Sequence, residues 1–183
     1  MPVLQQTAGH GPSVRWGEFA AAAPELAELG AQRLAAVPAY LATVDDSGAP
    51  RVHPVTPIIG DGRLFLFMEP TSPKGGDIVR RGVYALHCLV PDAHGTGGEF
   101  YVRGCGERID TPQLRAVAAL AASYTPHDRY VLFELRIAEA RCNGYGDVAL
   151  PEPRSWRVTD SSPWPDASLA STTPANHLSV ERV

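Results

Sequence analysis

Residues 39–68 decide how this chain is read. They open Ala39-Tyr40-Leu41-Ala42-Thr43-Val44, turn through Asp45-Asp46-Ser47-Gly48, run on from Pro50 to Ile59, turn again at Asp61-Gly62 and end Arg63-Leu64-Phe65-Leu66-Phe67-Met68. Runs rich in β-branched and aromatic residues, bounded by Asp and Gly, predict three strands joined by two hairpins. Pro54 and Pro57 each withhold a ladder N–H from the middle run. That strand must therefore lie at a sheet edge, carry a bulge, or turn its free positions toward a ligand.

Upstream, Glu25 to Ala36 reads as a helix with Pro24 in its first turn and Leu26, Leu29, Leu34 and Val37 on one face, ended by Pro38. Residues 1–14, with Gly9, Gly11 and Pro12, read as a flexible arm. Downstream, Gly75 to Arg81 predicts a short helix behind the loop Thr71-Ser72-Pro73-Lys74. Strands follow from Tyr84 to Val90 and from Glu99 to about Ile109, separated by the polar loop Pro91 to Gly98. A second helix, capped by Asp110 or Thr111 with Pro112 in its first turn, presents Leu114, Val117, Ala118 and Ala121. Tyr130 to Ile137 closes the sheet. From residue 159 to 183, Pro, Ser, Thr and Ala predominate without period, as in a tail. The expected architecture is mainly β with inserted helices: one domain over residues 15–158, built on a six- to seven-stranded antiparallel barrel.

Composition bounds the function. At 183 residues, 44% hydrophobic and 20% charged, the chain has the make-up of a single globular domain. It contains no apolar run of about 18 residues, and no basic-then-apolar start of a secretory signal. A net charge of −4 argues against gripping nucleic acid. Three cysteines without metal-ligand spacing fit a reducing cytoplasm better than a disulfide scaffold. The six histidines show no paired spacing, so no metal centre is expected. Dinucleotide-type glycine motifs, phosphate loops of the G-x-x-x-x-G-K type and G-x-S-x-G elbows are absent. Cys105 reads as a small strand residue whose neighbour Arg103 offers a thiolate partner. His87 reads as a strand histidine.

One segment offers chemistry. Lys74 is the only lysine among 16 cations, and an ammonium is a compact point charge where guanidinium is a fork. In Thr71-Ser72-Pro73-Lys74-Gly75-Gly76-Asp77 a hydroxyl, an ammonium and backbone N–H groups meet at a helix start, as a phosphate or other anion requires. The same residues also serve an ordinary helix cap.

The order of these elements resembles the pyridoxamine 5′-phosphate oxidase-like family, the flavin-binding split barrels, from about Gly17 to Trp156. Three segments carry the resemblance: Tyr40 to Val44 with Gly48-Ala49-Pro50, Leu66-Phe67-Met68 leading to Ser72-Pro73-Lys74, and Phe100 to Gly104 leading to Glu107-Arg108-Ile109. It implies a dimer with two cofactor sites shared between subunits, and a cofactor that is FMN or, in some branches, the deazaflavin coenzyme 420; a few members bind haem. His53 stands where the oxidases carry a phosphate-directed Arg, Ile58 where they carry a Lys, and Pro73 where they have Arg in Ser-Arg-Lys. Glu99 stands where a Gln approaches the flavin.

The resemblance therefore implies Ser72, Lys74 and His53 around a phosphate, and Pro54, Val55 and Thr56 beside the ring. Phe67, Met68 and Glu69 would complete the pocket, with Glu99, Trp156 and Arg157 as further contributors. Loss of two cations, with charge-assisted bonds worth about 1.5–3 kcal/mol each, argues against pyridoxine-phosphate oxidation itself. The expectation is a flavin- or deazaflavin-dependent oxidoreductase acting on a small organic substrate. The alternative is a non-catalytic flavin- or haem-binding protein, with His53 or His87 as axial ligand; a cofactor-free dimer is the third reading.

Overall fold

The computed structural model describes residues 11–36, 38–145 and 148–158. The expected tail, most of the expected arm and Val37 lie outside them. In chain order the elements are α1 (Trp16–Ala22), α2 (Pro24–Ala35), β1 (Ala39–Val44), β2 (Pro50–Val55), β3 (Ile58–Gly60), β4 (Arg63–Met68), α3 (Pro73–Arg81), β5 (Val83–His87), β6 (Glu99–Ile109), α4 (Pro112–Ala121), β7 (Val131–Asn143) and β8 (Ser155–Arg157).

Proline sets the outline of the sheet. The expected strand from Pro50 to Ile59 breaks at Thr56-Pro57 into β2 and β3. In the sheet order β2-β1-β5-β6-β7-β4-β3 these halves form the two edges, where a missing N–H costs least. Val55 and Ile58 are three residues apart, at most about 11 Å of extended chain. The edges must therefore approach one another, and the antiparallel sheet curls into a barrel left open between β2 and β3. The β3–β4 turn has Asp61 at φ 50° and Gly62 at φ 64°, the paired positive values of a two-residue hairpin.

The barrel interior is filled by alternate residues of each strand, among them Leu41, Leu66, Leu86, Phe100, Val102, Leu135 and Ile137. Phe19 of α1 and Leu26 and Leu34 of α2 close this core. A second, smaller cluster packs α4 through Ala118 onto Ile58, Phe65 and Leu132, on the opposite face of β4 and β7.

Several boundaries differ from expectation. α1 was not anticipated: at seven residues it is too short to show a period, and its local signal is Arg15 N–H donating to Glu18 Oε2 at 2.8 Å. α3 starts at Pro73, so Lys74 belongs to the helix and not to the loop before it. β5 ends at His87, short of the expected Val90. β7 continues six residues past Ile137, where β8 pairs with it and seals its final stretch. Of the expected arm, Val14 exchanges two backbone hydrogen bonds with Ile137, at 2.9 and 2.7 Å, and so is tied to the sheet. Among the described residues no helix is long and apolar enough to cross a membrane.

Candidate functional site

The first turn of α3 presents uncommitted donors. Pro73 has no N–H, and Gly76 N–H donates to Ser72 O at 3.1 Å. The N–H groups of Lys74 and Gly75 are left as the free first-turn donors. Ser72, at the cap, makes no capping bond, and its Oγ is buried without a partner. Lys74 makes no ion pair among the described residues, and burial pulls its ammonium below the ordinary lysine pKa. Gly75 is buried; a Cβ there would meet Phe133 at 3.2 Å and Met68 Sδ at 3.6 Å. Met68 therefore lies directly beside this turn.

β2 brings the other half of the site. Arg51, His53 and Val55 face the barrel interior opposite Thr43, Leu41 and Ala39 of β1. α3 is fastened to this face through Asp77, a fully buried carboxylate. Thr43 Oγ1 donates to its Oδ2 at 2.9 Å and Arg80 to its Oδ1 at 3.0 Å, while Arg51 Nη1 lies 3.9 Å from Oδ2. Lys74 precedes Asp77 by three residues, on the same helix face, and His53 follows Arg51 by two, on the same strand face. Asp77 thus anchors α3 to Thr43 of β1 and approaches Arg51 of β2, with Lys74 one turn earlier in the helix and His53 two residues later in the strand. His53 Nε2 is also buried without a partner.

The remaining expected residues are dispersed. Pro54 is exposed on the outer face of β2, while Thr56 lies at the crossing between the sheet edges. Phe67 points away from Met68, into the α4 cluster, with the Arg115 guanidinium 5.0 Å from its ring centre. Glu69 is taken by Arg129, whose guanidinium donates to both carboxylate oxygens and holds its pKa down. Trp156 packs on Phe19 at 5.1 Å between ring centres, as an aromatic anchor for β8 within its own chain. Glu99 lies on the outer face with His87 and Asn143, so it shares no surface with His53 and Lys74 of the same chain.

That outer face holds a cluster the sequence did not reveal. Glu139, 2% exposed, is ringed by Arg103 on β6, Arg141 on β7 and Arg157 on β8. Burial pushes its carboxyl up, but the guanidinium groups, Arg103 first, outweigh burial and leave it below the ordinary glutamate range. The signal for this hub lay in cross-strand register, which pairs Arg103 with Glu139 and Glu139 with Arg157. Spacing along the chain does not disclose it.

The inner-face donors fit a phosphate group. An ammonium, two first-turn N–H groups, one unpartnered hydroxyl and one unpartnered imidazole nitrogen are each of a kind that hydrogen-bonds phosphate oxygens. Among the described residues there is no group of three His, Cys, Asp or Glu side chains that would hold a metal ion.

No family model and no curated protein matches the chain in sequence. Solved structures do match in shape. A conserved hypothetical protein from Mycobacterium tuberculosis aligns over 68% of this chain and 88% of its own, with a TM-score of 0.58 at 16% identity. A haem-binding protein from Mycobacterium smegmatis aligns over 67% of this chain, with a TM-score of 0.55 at 22% identity; this chain covers 56% of that protein's length. The haem-storage protein HutZ from Vibrio cholerae aligns over 69% of this chain and 97% of its own, at a TM-score of 0.53 and 14% identity. The fold is a split barrel. Identities this low speak to fold alone, and the chemistry must be argued from this chain's own side chains.

Proposed function

We propose that this split barrel binds a phosphate-bearing flavin, FMN or the deazaflavin coenzyme 420, as an oxidoreductase acting on a small organic substrate. One observation carries the reading: among the described residues, the partly buried Lys74 at the start of α3 has no ion pair and the adjacent, buried Ser72 Oγ has no hydrogen-bond partner. A desolvated cation and an orphaned hydroxyl each cost free energy unless an anion completes them. Lys74, Ser72 and the free N–H groups of α3 hold the phosphate, and His53 supplies a further nitrogen. Val55, Thr56 and Met68 border the ring. Bound there, the cofactor supplies the hydride chemistry; the chain binds it, orients it and keeps water from its buried edge.

The active unit is a homodimer. Supporting this are the apolar strip on the outer face of β1 and β2, where Val52 is 64% and Tyr40 39% exposed, and the placement of Glu99 and Trp156 away from their own chain's inner face. Any contact of Glu99 or Arg157 with cofactor comes from the partner subunit. Cys88 and Cys142, buried and unpaired, favour a reducing, cytoplasmic setting.

Titrating the purified protein with FMN and with coenzyme 420 by fluorescence tests the reading. Tight binding of one of them is expected, and failure of both below about 100 μM rejects it. Haem carriage is the second reading. It is favoured by the outer-face His87, whose Nδ1 lies 2.7 Å from Cys88 O, and tested by the visible spectrum.

A further inference from the structure

A cleft of about 280 Å³ opens where the end of β6, the start of α4 and the start of β7 meet. Its residues Ile109 and Leu132 belong to the smaller cluster beneath α4, on the face of the sheet away from Met68 and the first turn of α3. None of the residues assigned to the cofactor or to the dimer contact lines it. The lining is of two kinds. Ile109, Val131 and Leu132 make part of it apolar, while Arg108, Arg115 and Arg129 bring three guanidinium groups to it against one carboxylate, that of Asp110.

The three arginines are held differently. Arg115 is fixed by main chain: Nη1 donates to Tyr130 O at 2.6 Å, and Nη2 donates to His127 O and Asp128 O at 3.0 Å each. Its guanidinium also lies over the Phe67 ring. It forms no ion pair among the described residues, so no carboxylate offsets its charge. Arg108 and Arg129 have one carboxylate apiece, Asp110 and Glu69, whose side chains are 74% and 42% exposed. Exposed pairs of this kind contribute little and yield readily to a competing anion. Arg108 spends only Nε on Asp110, and Arg129 spends Nε and Nη2 on Glu69. Both Nη groups of the first and Nη1 of the second have no partner among the described residues. One positive charge is left over here, in a protein whose net charge is −4. The first turn of α4 adds no acidic side chain to cancel it.

We infer that this cleft is a second binding site, for a small carboxylic acid with an apolar body. Its carboxylate lies on the guanidinium groups of Arg108 and Arg129, whose planar forks match a carboxylate, and its body lies on Ile109, Val131 and Leu132. The cleft is smaller than the roughly 300–1,000 Å³ that drug-sized ligands occupy, so it suits a single ring or short branched chain and excludes a flavin nucleotide. The inference stands apart from the flavin reading and uses none of its residues.

The test is titration of the full chain, labelled with nitrogen-15, followed by its amide resonances. The probes are benzoate, its neutral isostere benzamide, and acetate, which keeps the charge and loses the ring. Wild type is compared with Arg108→Gln, Arg129→Gln and the double variant, each verified as folded by far-UV circular dichroism and thermal melting. Arg115 is left in place because it pins three carbonyls. Benzoate is expected to saturate wild type below about 20 mM, shifting amides of residues 109–113 and 130–132, with benzamide and acetate each weaker by about fivefold or more. The double variant is expected to lose at least about fivefold in benzoate affinity and to bind benzamide as wild type does. Four results overturn the inference: no saturation by benzoate, equal affinity for benzamide, a double variant that binds benzoate like wild type, or benzoate shifts confined to residues 72–76. FMN affinity of the same variants reports separately on the inner face and is expected to be unaltered, so failure of either site leaves the other standing.

Discussion

At the scale of single residues, Lys74 and Asp77 divide the work of α3's inner face: one is left for a ligand and the other is consumed by the fold. Asp77 ties Thr43, Arg51 and Arg80 together across three elements. Replacing it with Ala strands the buried Thr43 hydroxyl and loses charge-assisted bonds, while the half-exposed arginines regain water. A stability loss of about 1–3 kcal/mol is expected in urea unfolding, and a loss below about 0.5 kcal/mol denies Asp77 this role. Lys74 behaves in the opposite sense. Because burial lowers its pKa, the folded chain binds fewer protons than the unfolded one in alkaline solution, so this residue's contribution to stability rises as pH climbs toward 10.5. Lys74→Met is therefore expected to raise the melting temperature of the ligand-free protein at neutral pH; a fall contradicts the picture of an uncompensated cation. The sequence exposed Lys74 through its singularity, and Ser72 as the hydroxyl at a helix start. It could not expose Asp77 or Glu139, whose partners are brought together by packing and register.

At the scale of elements, glycine and turn chemistry give sharper tests than the strands do. Gly30 lies in α2 where a Cβ would sit 2.3 Å from the Phe100 ring. Helix propensity alone predicts that Gly30→Ala stabilises by about 1 kcal/mol, whereas overpacking predicts a loss of about 1–3 kcal/mol. The contact is too close for a fully buried ring to give way, so a net loss is expected, and a rise in chemical-denaturation midpoint refutes it. In the β1–β2 turn, Asp45 Oδ1 accepts from the Ser47 hydroxyl and from the N–H groups of Ser47 and Ala49. The Ser47 hydrogen bond leads in holding its pKa at about 2, against 3.8 unperturbed. Its stabilisation is thus present above about pH 4 and disappears as pH falls through 2. Asp45→Asn should flatten the acid limb of the stability curve in that window, and an unchanged limb assigns the acid sensitivity elsewhere. Alternating strands were legible because one face of each is buried. α1 and β8 were not: the first is too short to show periodicity, and the second is held by Trp156 on Phe19 and by pairing with β7, contacts that only the folded chain creates.

At the scale of the molecule, the two prolines of the second strand left an edge position, a bulge or ligand-facing positions open, and the sheet order shows the edge. The prolines could not foretell that the strand would divide and supply both edges, since that depends on β5, β6, β7 and β4 filling the sheet between them. The exposed strip around Val52 predicts self-association: sedimentation equilibrium should find a dimer that Val52→Asp weakens, whereas a wild-type monomer at tens of micromolar removes the shared-site arrangement. A binding cycle reports on whether α3's first turn is a phosphate site. FMN and riboflavin differ only by the phosphate, so their affinities are to be measured on wild type and on Lys74→Ala. FMN is expected to bind wild type at least about tenfold more tightly than riboflavin, a difference of about 1.4 kcal/mol, and Lys74→Ala is expected to erase most of that advantage while leaving riboflavin unchanged. Equal affinities for the two ligands in wild type, or an FMN advantage that survives Lys74→Ala, contradicts a phosphate site there.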